Sequence, residues 1–376
     1  MVIAMVKISL ITPHMLGNEL EYVKDAFNTN WLAPLGPYVN KFEEKLKEYV
    51  NVKGAVALSS GTASIHLALK SLGIKKGDIV FCSDLTFIAS ANPIVYEGAI
   101  PVFIDSEEET GNMCPKALEK AFKQYKPKAV VVVQVYGIIA NMDEIKTICD
   151  KYNTPIIEDS TEALGSTYKG KYAGTIGEVG CFSFNGNKII TTTGGGMLVS
   201  NNKEIVDRTF KYATQSREAG PYYLHNDIGY NYRLSNVCAG IGLGQLETIS
   251  KKIEMKTHIN NIYKEGLKDI KSVEIFDYTE DRTNNYWISC LKIKNDKFTP
   301  KDILKKLADN DIESRYFWMP MHTQPVFQQY DYIKAHDESI SEKLFNTCLC
   351  LPSDTNMTDE EQQIVIDIIK EVANNE

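Results

Sequence analysis

An α/β fold on a mostly parallel sheet, joined to a second and smaller α+β unit, is what this sequence predicts, and three observations lead there. From residue 54 to 200 short apolar runs alternate with helix-length amphipathic stretches, the pattern of repeated βαβ units. The chain has 376 residues, beyond the length of about 250–300 at which single cores stop growing. After residues 231–241 the rhythm changes to a long helical stretch ending near Lys268, followed by mixed strands and helices. The expected division is a large α/β domain over residues 1–250 and a small α+β domain over 251–376.

The elements follow in order. Strands are expected at 55–58, 79–82, 101–104, 129–135, 155–158, 181–184 and 196–200, each a short apolar run bounded by turn residues. Helices are expected between them at 63–72, 115–124 and 143–152, the second with Pro115 in its first turn, where a missing N–H costs nothing. Beyond Lys268 the pattern predicts a strand at 286–293 and helices at 300–308 and 359–372. No repeat, low-complexity tract or Gly/Ser linker separates the two units, so tight packing between them is expected.

Composition excludes several classes. A net charge of -8 disfavours an extended nucleic-acid surface, which needs clustered Lys and Arg, but leaves room for small anions held by a few local donors. The eight cysteines include no CxxC pair, which disfavours a disulfide framework or a zinc site, and Cys348-Leu349-Cys350 reads as a buried strand. Residues 1–7 lack the features of a signal peptide, and no apolar run reaches the roughly 20 residues needed to cross a bilayer, so a soluble protein of the cytoplasm is expected.

Ligands of open parallel sheets bind beyond the carboxyl ends of the strands, which directs attention to the residues there. After the first strand, Ser59-Ser60-Gly61-Thr62-Ala63-Ser64 opens a helix with small residues, which suits either a phosphate held by backbone N–H groups or a plain turn and N-cap. Phe87, after the second, could stack on a planar ring or pack in the core. Asp159, closing the 155–158 strand, could pair with a buried cation such as a protonated pyridine nitrogen or cap the next turn. The most specific stretch runs from Gly180 to Met197: a strand ending in Ser183, a lone Lys188 and the glycines 194–196. A desolvated lysine there would have a lowered pKa and could form a Schiff base, with Ser183 bonding a phosphate and the glycines admitting a cofactor. An exposed loop lysine would be the ordinary alternative, but Gly61-Thr62, Phe87, Asp159 and Lys188 in this chain order outweigh it.

These residues carry a resemblance. Ser60-Gly61-Thr62-Ala63, Thr86-Phe87, Glu158-Asp159-Ser160-Thr161-Glu162-Ala163, Phe182-Ser183-Phe184 with Lys188, and Gly229-Tyr230-Asn231-Tyr232-Arg233-Leu234 are similar to motifs of the DegT/DnrJ/EryC1/StrS sugar aminotransferases, pyridoxal 5'-phosphate enzymes of the aspartate aminotransferase fold. The resemblance spans nearly the whole chain, from Pro13 to the C-terminal helix. It implies that Lys188 carries the cofactor as a Schiff base and moves the proton, and that Asp159 holds the pyridinium charge. It also implies that Glu162 lies near the ring hydroxyl, Phe87 stacks on the ring, and Gly61, Thr62 and Ser183 bind the phosphate. Asn231 would reach the phosphate of a neighbouring subunit's cofactor, so a homodimer with shared sites is expected.

Within that group the chain is similar to transaminases that make UDP-4-amino-4,6-dideoxy-N-acetylglucosamine on the bacillosamine and legionaminic acid routes. The strings that carry this are Leu32-Ala33-Pro34-Leu35-Gly36-Pro37-Tyr38-Val39, Asn185-Gly186-Asn187-Lys188-Ile189-Ile190-Thr191-Thr192, Ala213-Thr214-Gln215 with Arg217-Glu218, and Met321-His322-Thr323-Gln324. Arg217, Arg315 and His322 are the nucleotide-sugar candidates this implies, with L-glutamate as amino donor. Two departures stand out: Gln134 where many members have His before Leu-Tyr-Gly, and Ser160-Thr161 where alanines are commoner. Lys188 argues against the group's dehydratases, which carry histidine there. The alternatives are a GDP-4-keto-6-deoxymannose aminotransferase resembling perosamine synthase, and a non-catalytic PLP-binding regulator. A dinucleotide oxidoreductase is disfavoured because no GxGxxG follows an early strand.

Overall fold

The computed structural model describes residues 7–374. Its central sheet takes its first seven strands from the region of alternating apolar runs: β1 (Gly54–Leu58), β2 (Ile79–Ser83), β3 (Ile100–Ile104), β4 (Ala129–Val133), β5 (Ile156–Asp159), β6 (Val179–Ser183) and β7 (Gly196–Ser200). The spatial order is β1-β7-β6-β5-β4-β2-β3, with the strand Tyr332–Ile333 added beside β3. β7 pairs antiparallel with both β1 and β6, and the other pairings are parallel. Every strand except β7 therefore ends on the same edge, and the turn into β7 begins there.

Packing explains why the sheet reads as continuous apolar runs. All five residues of β4 are buried, because helices cover both faces of a parallel sheet. Val131, Cys82 and Leu198 pack with Ile65, Leu67 and Leu69 of the helix Gly61–Ser71 on one face. Val130, Val132 and Phe81 pack on the other with Leu118 and Ile145, from the helices Pro115–Phe122 and Met142–Lys151.

Three expected elements change where the backbone turns. The run expected as a strand over 129–135 stops at Val133, and Val135–Gly137 forms a 3-10 turn with Tyr136 at φ 51°. The strand expected over 286–293 begins only at Cys290, because the residues before it fold back onto the large sheet's loops: the Asn285 N–H bonds the Ser166 hydroxyl at 3.0 Å and Tyr286 has φ 49°. The expected long helix is two, Asn236–Glu247 and Ile249–Leu267, divided at Thr248.

A four-stranded antiparallel sheet, in the order Val273–Phe276, Cys290–Ile293, Cys348–Cys350, Arg315–Tyr316, forms the smaller α+β part. Leu291, Ile293 and Leu349 pack there with Tyr263, Val365 and Ile369 of the flanking helices. Two segments cross a division placed at 250/251: Tyr332–Ile333 lies in the large sheet, and Ile8 bridges Ile312 and packs in the small core. Among the described residues no helix is long and apolar enough to cross a membrane.

Candidate active site

A cavity of about 430 Å³ opens at the edge where β1, β2, β5 and β6 end. Its lining includes Ser60, Gly61 and Thr62 after β1, Phe87 after β2, Thr161 after β5, Ser183 at the end of β6, and Lys188 with Gly194 and Gly195 before β7. Trp287, Arg315 and Trp318 close it from the C-terminal part.

At one end the helix Gly61–Ser71 points its N-terminus into the cavity. Ser60 caps it by accepting from the Ala63 N–H at 3.0 Å, leaving the Gly61 and Thr62 amides without intrahelical acceptors beside the Ser183 hydroxyl. Glycine is needed here for closeness: a Cβ on Gly61 would stand 2.8 Å from the Ser183 Cβ and 3.1 Å from Thr161 Cγ2. A Cβ on Gly196 would strike the Ser60 carbonyl oxygen and the Gly61 nitrogen.

Lys188 sits on the loop between β6 and β7, with its N–H bonded to the Asn185 carbonyl at 3.0 Å. Its amine lies 3.7 Å from Glu162 Oε1 and 3.7 Å from the centroid of the Trp287 ring. Burial pulls the Lys188 amine below its ordinary pKa, and Glu162 and Asp159 only partly offset that loss. Glu162 is itself buried and its carboxyl is pushed up by desolvation; the charge of Lys188 and the Tyr136 N–H, bonded to Oε2 at 2.7 Å, act against the shift. The left-handed Tyr136 is what turns that N–H toward Glu162.

Asp159 lies beneath the cavity floor, 3% exposed. Its Oδ2 accepts from the Ser90 hydroxyl at 2.5 Å, Ser90 is bonded to Thr86 at 2.6 Å, and Oδ1 accepts from the Thr161 N–H at 3.2 Å. Phe87 is half exposed at the mouth, its ring 5.3 Å from that of Trp318, so it is not a core residue. Gly61, Thr62, Phe87, Ser183, Lys188 and Arg315 therefore meet around one cavity, with Asp159 and Glu162 behind it.

The remaining candidates lie elsewhere. Asn231 is exposed and bridges Thr214, and Arg217 stacks on Tyr223 at 4.3 Å in an exposed loop; neither lines the cavity of its own chain. His322 is bound to Asp84 and Glu342 outside the lining. Gln134 faces into the protein: its amide bonds Glu158 Oε2 at 3.1 Å, and its carbonyl accepts from the Ala140 N–H at 2.7 Å. Sequence reasoning missed Ser90, Trp287 and Trp318. Trp287 is one of three tryptophans, and its place over Lys188 depends on its indole N–H bonding the Asn187 carbonyl at 2.6 Å, a contact across 100 residues.

The sequence profile of the DegT/DnrJ/EryC1/StrS aminotransferase family matches residues 13–370. This chain belongs to that family. It is 49% identical to the EpsN protein of Bacillus subtilis (strain 168) over 369 residues, covering 96% of this chain and 95% of that protein. With the GDP-perosamine synthase of Escherichia coli O157:H7 it shares 38% identity over 364 residues, 97% of this chain and 98% of the synthase. The crystal structure of the aminotransferase TlmJ from Streptoalloteichus hindustanus superposes with a TM-score of 0.89 at 26% identity, covering 97% of this chain and 98% of that one. The fold is that of the aspartate-aminotransferase-like enzymes, and the DegT-family chain is a PLP-dependent aminotransferase. Its residues fit the cofactor: free amides at a helix N-terminus and a hydroxyl for a phosphate, an aromatic face for a ring, a desolvated lysine, and a buried carboxylate already oriented by two donors. The buried Asn187 Oδ1, in the same lining, has no partner within the protein.

Proposed function

We propose that this enzyme transfers an amino group from L-glutamate to C4 of a nucleotide-linked 4-keto-6-deoxy sugar, with UDP-2-acetamido-2,6-dideoxy-4-ketohexose as the acceptor. The observation that carries the reaction type is Lys188, a desolvated amine facing the cavity with a carboxylate beside it. Pyridoxal phosphate, when bound, supplies the electron sink for the bond-breaking at the donor carbon. Lys188 would hold the cofactor and, its amine drawn below the ordinary pKa by burial, would take the proton from the donor carbon at Nζ and hand it on within the same half-reaction, running the path in reverse for the keto sugar. Asp159, fixed by Ser90 and Thr161, would keep the ring nitrogen protonated, and Glu162, beside the Lys188 amine, would lie near the ring hydroxyl. Gly61, Thr62 and Ser183, all in the cavity lining, would bind the phosphate, Phe87 would flank the ring, and Trp287 and Trp318 would help exclude water.

Glutamate leaves as 2-oxoglutarate, and the keto sugar then enters the same cavity and takes the nitrogen. Arg315 stands at the cavity wall as a cation for the nucleotide-sugar phosphates. Asn231 and Arg217 would serve a second copy's site, which fits their exposure and their place outside the lining of their own cavity. The motifs around 32–39, 185–192 and 321–324 support the UDP-acetamido acceptor. The likeness to a GDP-perosamine synthase, over nearly all of both chains, favours a second reading in which the acceptor is GDP-4-keto-6-deoxymannose.

The two readings separate in a panel of UDP- and GDP-linked 4-keto sugars offered with L-glutamate, with product NMR to fix C4 configuration. The first predicts amination of the UDP-acetamido sugar; turnover of the GDP sugar alone would overturn it.

A further inference from the structure

Next to the cavity, and outside its lining, lies a cluster around His322 to which the steps above assign no role. Asp84, fully buried just beyond β2, binds His322 twice: Oδ1 accepts from the His322 backbone N–H at 2.9 Å, and Oδ2 stands 2.8 Å from the ring Nδ1. The Asp84 carbonyl also accepts from the Met321 N–H at 2.9 Å. The other ring nitrogen, Nε2, is 3.1 Å from Glu342 Oε1, and the imidazole stacks flat on Tyr332, with centroids 3.8 Å apart and planes within 2°.

A carboxylate oxygen only accepts, and a neutral imidazole carries one N–H. Two ring nitrogens that each face an ionised carboxylate are therefore both satisfied only when the ring carries two protons. Burial opposes the charge on His322, but the bond and charge of Asp84, and then those of Glu342, hold it above its ordinary pKa. Burial likewise pushes the Asp84 carboxyl up, and the bonds from His322 pull it back.

The charged and titratable groups around the ring come from several elements. They are Asp84 after β2, Glu342 of the helix Ile340–Thr347, and the Tyr332 phenol, bonded to Ser339 at 2.7 Å. Asp105 lies beyond Tyr332, its carboxylate taken by the Ile340 and Ser341 N–H groups and the Ser341 hydroxyl. The position of this cluster in the chain matters. Asp84 is followed by Phe87 and Ala89, and His322 is preceded by Arg315 and Trp318, and all four flanking residues line the cavity. The cluster thus ties two walls from distant parts of the sequence.

We propose that His322 is a positioning residue which, as an imidazolium between Asp84 and Glu342, clamps the Arg315–Trp318 wall of the cavity to the Phe87–Ala89 wall, and that loss of its proton loosens this wall. Because the folded pKa lies above the unfolded value, the clamp is fully present below about pH 6.5 and is lost as pH rises through the folded pKa. His322 then acts through the wall and need not touch the substrate.

Two measurements on the cofactor-loaded protein test this. Long-range proton–nitrogen NMR, with the His322 signal assigned by its loss in H322Q, is expected to show both ring nitrogens protonated at pH 6 and a titration midpoint above about 6.5 that falls in E342Q. Hydrogen–deuterium exchange over residues 315–324, corrected for the intrinsic rate, is expected to accelerate with pH in the wild type, and at pH 6 to run about tenfold faster in H322Q while residues 129–133 are unchanged. A His322 carrying a single proton at pH 6, or wall exchange at pH 6 equal in H322Q and wild type, overturns the proposal. Since E342Q alters only a half-exposed carboxylate, it reads the same clamp if H322Q fails to fold.

Discussion

Asp159 shows how much of a single residue's role depends on neighbours distant in sequence. Its carboxylate is aimed by Ser90, itself bonded to Thr86, and by the amide of Thr161. Asp159→Asn keeps the shape and both donors' positions but removes the charge that holds a ring nitrogen protonated, so kcat/KM for amino transfer is expected to fall by about 10²–10³-fold with little change in melting temperature. Steady-state assay beside thermal unfolding checks this, and an active Asp159→Asn enzyme would remove Asp159 from the reaction. Asp159, Phe87 and Lys188 were legible in the sequence because each follows a readable strand. Ser90 and Trp287 were not, since a serine in a short turn and a tryptophan before a strand carry no local mark of what they meet across the fold.

Elements divide in the same way. The seven strands were legible because burial on both faces makes them apolar throughout, and their starts moved by at most two residues. The helix Pro37–Val50 carries a readable period in Val39, Phe42, Leu46 and Val50, although it precedes the region that predicts the fold class. The turn at Tyr136 was not legible: a valine run continues into it, and the partners of Tyr136, Glu162 for its N–H and Phe317 and Trp318 for its ring, come from distant parts of the chain. The loop from Gln215 to Tyr230 leaves Tyr222, Tyr223 and Ile228 in solvent, Ile228 at 80% exposure, and the segment around the helix Glu19–Asn28 leaves Leu20, Phe27, Trp31 and Leu35 there. Exposed apolar groups at this density mark an interface. A homodimer is therefore the expected species in analytical ultracentrifugation, with Ile228→Asp shifting it toward monomer and weakening cofactor retention through the loss of the partner copy's Asn231. A wild-type chain sedimenting as a monomer would contradict both the dimer and the shared site.

Across the whole molecule the negative net charge and the anionic cofactor are reconciled by location: the donors for a phosphate are neutral amides and hydroxyls at the end of one helix, which total charge does not report. Among the described residues burial lowers the pKa of three lysines, Lys188, Lys252 and Lys256, and only the first was legible in the sequence. Burial brings Lys252 to about 8 and Lys256 to about 7, yet Lys252 is bonded to the His14 carbonyl and Gln245, and Lys256 to the carbonyls of Trp287 and Ser353. Only Lys188 of the three lines the large cavity. Borohydride reduction of the cofactor-loaded protein, followed by peptide mass spectrometry, separates them directly. The pyridoxyl mass is predicted on Lys188 alone and absent from Lys188→Ala; its appearance on Lys252 or Lys256, or its persistence in Lys188→Ala, would contradict the account.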